Sequence, residues 1–269
     1  MSRPIVLFLL FLAVGCSSTR DTPATSVKDV DEIAALSQQA ADAVLWQFAS
    51  AEAHRLYQQC YELARIRLTE NLKKVTTGTP AVIVDIDETV LDNSPYEVHI
   101  IANDQIYEDA SWKEWTSKAQ ARALPGSVEF LLHAAEQGCE IYYISNRHVS
   151  EAEATLKNLR DLKFPFADEA HLLLMKDVSD KTQRRKAVSE KHPVVLVVGD
   201  QLRDMDERFK DRSIDNGKAL VDQYADTLRQ YFIMLPNPMY GTWRDVVQGK
   251  GTPEEKLQRM NSFFKTNSY

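Results

Sequence analysis

The chain of 269 residues has only three cysteines, six histidines and nine glycines. The histidines show no metal spacing and no HExxH, which excludes a zincin-type centre. No GxxxxGK[ST] loop is present and no GxGxxG follows the first strand, which disfavours P-loop nucleotide hydrolysis and dinucleotide binding. Basic charge is in deficit. Lys and Arg number 32 against 39 Asp and Glu, for a formal net charge of −7, which argues against a nucleic-acid polymer as the main partner. There is no internal repeat and no long low-complexity tract. Apart from Cys16, the only cysteines are Cys60 and Cys139, and their separation in sequence leaves a disulfide undecided. A composition of 44% hydrophobic and 26% charged residues is ordinary for a globular protein and suffices for one large domain, or one domain with a small insertion.

The N-terminus differs from the rest. MSRPIVLFLLFLAVGCSS carries one basic residue, Arg3, and then an apolar run from Ile5 to Val14. The run is shorter than the roughly 20 residues that span a bilayer, so it reads as the core of a secretory signal over residues 1–15. Ala13-Val14-Gly15-Cys16 resembles a bacterial lipobox, with Ala13 at the position where Leu is usual, and predicts lipidation of Cys16. Residues 16–27 are then a polar tether. Ser17 stands where an inner-membrane lipoprotein often has Asp, so the expectation is an exported lipoprotein of the outer membrane or cell surface.

Residues 28–75 have helical texture, unbroken by Gly or Pro until Gly78 and Pro80, and predict one long or two consecutive helices. Beyond Pro80 the texture alternates. AVIVDID, CEIYYISNR, HLLLM, VVLVVGD and YFIMLPNP read as strands, and the segments from Pro125 to Gly138, from Val149 to about Leu162 and around DKTQRRKAVSEK read as helices. This is an α/β pattern with a mostly parallel, Rossmann-like sheet covered on both faces. The polar, aromatic-rich stretch of about 94–124 is long for a strand-to-helix connection and reads as a cap insertion in a main domain of 28–269.

Three apolar strands end in chemistry. AVIV leads to Asp85-Ile86-Asp87, IYYI to Ser145-Asn146-Arg147, and VVLVV to Gly199-Asp200 with Asp204 one helical turn on. If the first strand continues, Asp85 and Asp87 leave it on the same face, a costly pairing of like charges unless a cation or a shared proton offsets them. Ligands bind at the carboxyl ends of parallel strands, so these groups share one crevice, and Lys181 or Lys176 reaches the same edge. Carboxylates around an oxygen-preferring divalent ion point to Mg²⁺, and a lysine and a hydroxyl suit the remaining oxygens of a phosphoryl group. One Asp can act as nucleophile and its neighbour as proton shuttle.

These motifs resemble the haloacid dehalogenase superfamily, and within it the class C bacterial acid phosphatases. The first signature is carried by Val84-Asp85-Ile86-Asp87-Glu88-Thr89-Val90-Leu91 with Asn93 and Tyr96. The second is carried by Gly199-Asp200-Gln201-Leu202-Arg203-Asp204-Met205, which departs from the family at Gln201 and Met205. Trp112…Trp115, Arg122…Pro125-Gly126, Ser145-Asn146-Arg147, Ser179…Lys181 and Leu235-Pro236-Asn237-Pro238…Tyr240-Gly241 extend the likeness over nearly the whole chain.

The resemblance implies an acid phosphatase that cleaves small phosphomonoesters, nucleoside 5′-monophosphates among them, through an aspartyl-phosphate. It makes Asp85 the nucleophile and a Mg²⁺ ligand. Asp87 becomes the acid and base, touching the metal through its backbone carbonyl. Ser145 and Lys181 hold the phosphoryl group, the match favouring Lys181 over Lys176, and Asp200 and Asp204 complete the metal site. Asn146 is a further substrate contact. Arg122 either binds phosphate or pairs with an acid. Tyr240, then Trp112, are the candidates for an aromatic slot, although such rings are more often core. Arg147-His148 is followed by Val149 where the histidine acid phosphatases carry Gly, which excludes that family. Two other readings stay open, a surface lipoprotein whose main task is ligand binding and a phosphotransferase. Oligomeric state is open as well, a homodimer included.

Overall fold

The computed structural model describes residues 27–269. The signal segment 1–15, Cys16 and the tether up to residue 26 lie outside the described residues. Helices α1 (Val27–Gln38), α2 (Ala41–Ala49) and α3 (Ala51–Leu72) come first. The stretch expected to form one or two helices therefore forms three. Ser50 makes one of the breaks: its backbone is extended and its hydroxyl accepts from the Ala53 N–H at 3.0 Å, capping α3.

The rest of the chain alternates. In order it forms β1 (Ala81–Val84), β2 (Leu91–Asp92), α4 (Ser94–Ala102), α5 (Asp109–Ser117), β3 (Arg122–Ala123), α6 (Ser127–Glu136) and β4 (Glu140–His148). Then come α7 (Ala152–Asp161), β5 (Leu172–Met175), α8 (Thr182–Ser189), β6 (Val194–Gly199), α9 (Leu202–Met205), α10 (Lys218–Gln223) and α11 (Ala225–Tyr231). β7 (Phe232–Met234), α12 (Thr242–Gln248) and α13 (Pro253–Thr266) complete the described chain.

Five strands pair in the order β5-β4-β1-β6-β7, each neighbour parallel, so the chain has the expected α/β fold. β1 lies at the centre and is buried along its whole length. Its residues alternate between two cores. Val82 and Val84 join Tyr57, Tyr61 and Leu68 of α3, Phe130 of α6 and Leu159 of α7 on one face. Ala81 and Ile83 face Val188 of α8, Phe232 and, at the margin, Leu202 of α9. Fully burying one such aliphatic side chain stabilises by about 1.5–3 kcal/mol, so a charge at Val84 would abolish the fold.

The segment between β1 and α6 contains a short ribbon. β2 and β3 form a two-residue antiparallel ribbon, with Leu91 opposite Ala123 and Asp92 opposite Arg122, that closes the base of the insertion carrying α4 and α5. Thr116 of α5 donates to Glu151 Oε1 at 2.7 Å and ties the insertion to the start of α7. Two phenols of α3 reach under the loops of the main domain: Tyr61 donates to the Thr89 carbonyl at 2.6 Å, and Tyr57 to the Pro236 carbonyl at 2.6 Å. α1 packs on α13, so both end helices of the described chain meet on one side of the molecule. Cys60 and Cys139 are free thiols, the first half-buried and the second buried. Among the described residues no helix is long and apolar enough to cross a membrane.

Candidate active site

β1, β4 and β6 present their carboxyl ends side by side, and the chain leaves each in a different way. The strand expected to carry both Asp85 and Asp87 ends at Val84. The Asp85 N–H still bonds the Val198 carbonyl of β6 at 3.0 Å, and the chain then coils so that the N–H groups of Thr89, Val90 and Leu91 all point to the Ile86 carbonyl. Glu88 takes a left-handed conformation at φ 55° to close this turn. That conformation is unfavourable for a side chain with a Cβ, and the turn's hydrogen bonds hold it. The two aspartates are thereby separated, because alternation along an extended strand no longer applies.

Asp85 turns towards β6 and α9. Ligand oxygens of Asp85, Asp200 and Asp204 lie within 4.8 Å of one another, all three residues buried. Lys181, at the N-terminal edge of α8, reaches into this group from a side chain only 6% exposed, with Nζ 2.5 Å from Asp85 Oδ1 and 2.6 Å from Asp204 Oδ1. Burial pushes Asp85 well up, against the pull of Lys181, and Asp204, Asp200 and Asp87 push the same way. Burial raises Asp200 to about 7, helped by Asp204. Burial alone would lower Lys181, but Asp204 and Asp85 hold it above its usual value and keep it charged.

One ammonium does not balance three carboxylates in a dry pocket, so the group calls for a further cation. Its donors are all hard oxygens, the set that suits Mg²⁺ or another hard divalent ion. The surroundings fit that use. Gln201 and Asn237 both donate to Asp200 Oδ2, at 2.9 and 2.8 Å, which orients the carboxylate and leaves Oδ1 for a ligand. Gln201, a departure from the family pattern, thus fills a supporting role through its longer amide. The Gln201 N–H also holds Asp204 Oδ2 at 2.9 Å. Gly199 permits this approach, since a Cβ there would sit 2.4 Å from Asp204 Oδ2.

Asp87 turns the other way. The Arg147 guanidinium, buried on β4, donates to Asp87 Oδ1 through Nη2 at 2.8 Å and to both carboxylate oxygens through Nε at 3.0 and 3.2 Å. Asn93 Nδ2 donates to Oδ1 at 2.8 Å, and the buried Ser145 hydroxyl reaches Oδ2 at 3.3 Å. Asn93 is the knot of this region: its backbone N–H bonds Glu88 Oε1 at 2.8 Å, and its side-chain Oδ1 accepts from Trp115 Nε1 at 2.8 Å. Glu88 is fully buried, and burial, then Asp87 and Asp200, push its carboxyl well up. The sequence motifs included Arg147, Glu88 and Asn93, but spacing along the chain gave no signal of what each would touch.

Asp85, Asp87, Ser145, Asn146, Lys181, Asp200, Asp204, Trp112 and Tyr240 all line one cavity of about 520 Å³. Trp112 packs edge-on to Tyr96 with centroids 5.2 Å apart, and Arg147 lies 5.7 Å from its ring. Asn146 is exposed and accepts from Arg184 at 2.7 Å. Lys176 is exposed and does not line the cavity. Arg122 does not line it either. Its guanidinium donates to Asp92 Oδ2 at 2.9 Å and lies over the Phe48 ring at 5.6 Å, because the β2–β3 ribbon sets Arg122 opposite Asp92. Of its two expected uses, pairing with an acid is the one this geometry serves.

A sequence model of the HAD superfamily, subfamily IIIB (acid phosphatase), matches residues 9–243. The fold is similar to two structures of the class C acid phosphatase from Bacillus anthracis, one of them with tungstate bound. The TM-score is 0.80 at 36% identity in both cases, over 84% of this chain and 97% of that one. Acid phosphatase 1 of Solanum lycopersicum is 24% identical over 171 residues, and a stem 31 kDa glycoprotein of Glycine max is 27% identical over 167. These matches span only 59% and 58% of the two plant proteins' own length.

Proposed function

Because the chain belongs to subfamily IIIB of the HAD superfamily, the acid phosphatases, we propose that it hydrolyses small phosphate monoesters, nucleoside 5′-monophosphates among them. The observation that carries this reading is the buried meeting of Asp85, Asp200, Asp204 and Lys181 at the floor of a cavity that Ser145 and Asp87 also line. Asp85, Asp200 and Asp204, with the backbone carbonyl of Asp87, would hold Mg²⁺. That ion supplies charge neutralisation for the phosphoryl oxygens.

The chain's own groups account for the rest. Lys181 and Ser145 hold the phosphoryl group in line with Asp85. A carboxylate oxygen of Asp85 bonds to phosphorus as the ester P–O bond breaks, and the leaving alkoxide takes a proton from Asp87. Asp87 then removes a proton from water, whose oxygen bonds to phosphorus. The acyl-phosphate P–O bond breaks and frees Asp85 and phosphate. Arg147 keeps Asp87 aimed at the departing oxygen through both steps.

The lipobox-like run before Cys16 supports export and anchoring at the outer membrane or cell surface, where such an enzyme would scavenge nucleosides and phosphate. Incorporation of a labelled fatty acid, lost in Cys16→Ser, tests the anchor. The activity is tested with p-nitrophenyl phosphate and nucleoside 5′-monophosphates, with and without chelator. Turnover should stop with EDTA, return with Mg²⁺, and fall at least about 10³-fold in Asp85→Asn. Near-normal turnover in that variant would overturn the assignment.

A further inference from the structure

Glu97 is a carboxylate that neither the fold nor the chemistry above uses. It lies on α4, half-buried, and lines the same cavity as Asp85. Nothing among the described residues donates a hydrogen bond to its side chain. The nearest cation is Arg244 of α12, which also lines the cavity, but its guanidinium is committed elsewhere. Nη1 donates to the Met239 carbonyl at 3.1 Å, and Nε and Nη2 face the Gln248 amide oxygen at 2.8 and 3.2 Å once that amide is oriented to accept. Arg244 therefore acts on Glu97 by charge at a distance. The two oxygens of this half-buried carboxylate take no donor from the protein and so remain available to a ligand in the cavity.

The rest of the cavity wall narrows what that ligand presents. Trp112 and Tyr240 offer flat aromatic surface, and α1 contributes Leu36 and Ser37 and the turn before α2 contributes Ala40, none of which carries charge. A planar leaving group placed there shares the cavity with Glu97. A carboxylate offers two acceptors side by side and so matches two adjacent N–H donors, as on the N1–H and N2–H₂ edge of guanine. Adenine presents one acceptor and one donor there, which a carboxylate cannot match. We infer that Glu97 is a specificity-determining residue that selects purine leaving groups presenting paired N–H donors, guanine over adenine. This inference rests on the nucleoside 5′-monophosphate reading above.

The protonation state of Glu97 gives the inference a signature that packing alone would not. Burial raises its carboxyl to about 7, with Arg244 pulling it down. The other charged groups along the wall are Asp245 of α12, Lys256 of α13 and Arg147 of β4, besides the carboxylates and Lys181 of the catalytic floor. Above pH 7 the charged form accepts twice and favours guanine. Below it the neutral acid donates once and accepts once, the pattern adenine complements.

The test measures kcat/KM for GMP, IMP and AMP at pH 5.5 and pH 8 in the Mg²⁺-loaded full chain and in Glu97→Gln and Glu97→Ala, with thermal melting to check folding. Ratios between substrates cancel any pH effect on the shared chemistry. The wild-type GMP:AMP ratio should be roughly tenfold higher at pH 8 than at pH 5.5, with IMP, which lacks the second donor, in between. Glu97→Gln, which presents one donor and one acceptor at every pH, should lower the ratio about tenfold at pH 8 and flatten its pH dependence. Glu97→Ala should abolish the preference without favouring AMP. A GMP:AMP ratio that is the same in all three proteins and at both pH values overturns this inference alone. Turnover of p-nitrophenyl phosphate without turnover of any nucleotide overturns it together with the nucleotide reading.

Discussion

Arg147 grips both oxygens of Asp87, with Nη2 2.8 Å from Oδ1 and Nε 3.2 Å from Oδ2, from a side chain that is 1% exposed. The pair joins the loop after β1 to the end of β4 and keeps Asp87 apart from the cluster that Asp85 forms with Asp200 and Asp204. It also fixes a charge problem in place, since neither partner tolerates loss of the other in a buried setting.

Arg147→Met should therefore cost stability. Leaving Asp87 without its partner should cost about 3 kcal/mol or more of stability, read as a drop in melting temperature on the order of 10 °C. Arg147→Lys keeps the charge but not the planar fork. It should retain most of the stability and still lower kcat, because Asp87 is no longer aimed. A Lys variant with full kcat would show that only charge is needed there.

Lys181 and Lys176 are separated by burial. Lys181 contacts Asp85 and Asp204, whereas Lys176 is exposed. Lys181→Met should lower kcat roughly 10²–10³-fold, the scale for removing one donor aimed at developing charge. Lys176→Met should stay within about twofold of wild type. Equal losses in the two variants would contradict the site as described.

Metal removal should make stability pH-dependent with a definite sign. Burial, then Asp204, raises folded Asp200 from 3.8 to about 7, so between those values the folded state holds a proton that the unfolded state has lost. Stability then falls as pH rises through that window. The EDTA-treated protein should melt lower at pH 7.5 than at pH 5, and added Mg²⁺ should remove most of the difference by binding the charged form. Asp200→Asn should reduce the slope of the chelated profile, with Asp85, Glu88 and Glu97 carrying the remainder. A chelated protein that melts higher at pH 7.5, with the variant behaving identically, would refute this account.

Gly199→Ala isolates the close approach at the end of β6. The new Cβ would meet Asp204 Oδ2 at 2.4 Å and Asp204 Cβ at 2.6 Å. The Asp204 backbone has to shift, because a contact at its Cβ cannot be relieved by rotating the carboxylate. Mg²⁺ affinity, measured calorimetrically, should weaken about 10–100-fold, with a smaller loss of thermal stability. Unchanged affinity would mean that Asp204 does not bear on the ion.

Much of this was legible in the sequence because it is local. A buried four-residue strand followed by an acid is visible as AVIVD, and the parallel sheet follows from strands alternating with helices. The departures all depend on contacts between distant segments. Asp85 and Asp87 part because a hydrogen-bonded turn ends the strand, which alternation cannot foresee. Arg122 faces Asp92 because a ribbon of two residues per strand is too short to leave a pattern. Arg147, Asn93 and Glu88 converge from two segments, so their joint role appears only when β1 and β4 lie side by side. The three N-terminal helices read as one or two because neither the turn at residues 39–40 nor the Ser50 cap interrupts the run with Gly or Pro.

The two phenols of α3 carry a consequence for how accurately the catalytic floor can be built. Thr89 follows the first strand and Pro236 follows the last, yet each carbonyl is gauged against the same rigid rod through one tyrosine ring. Positional error between those loops is therefore limited by two stiff side chains and does not accumulate along the polypeptide between them. Shortening either tyrosine to leucine would leave most of the apolar packing intact and remove the ruler.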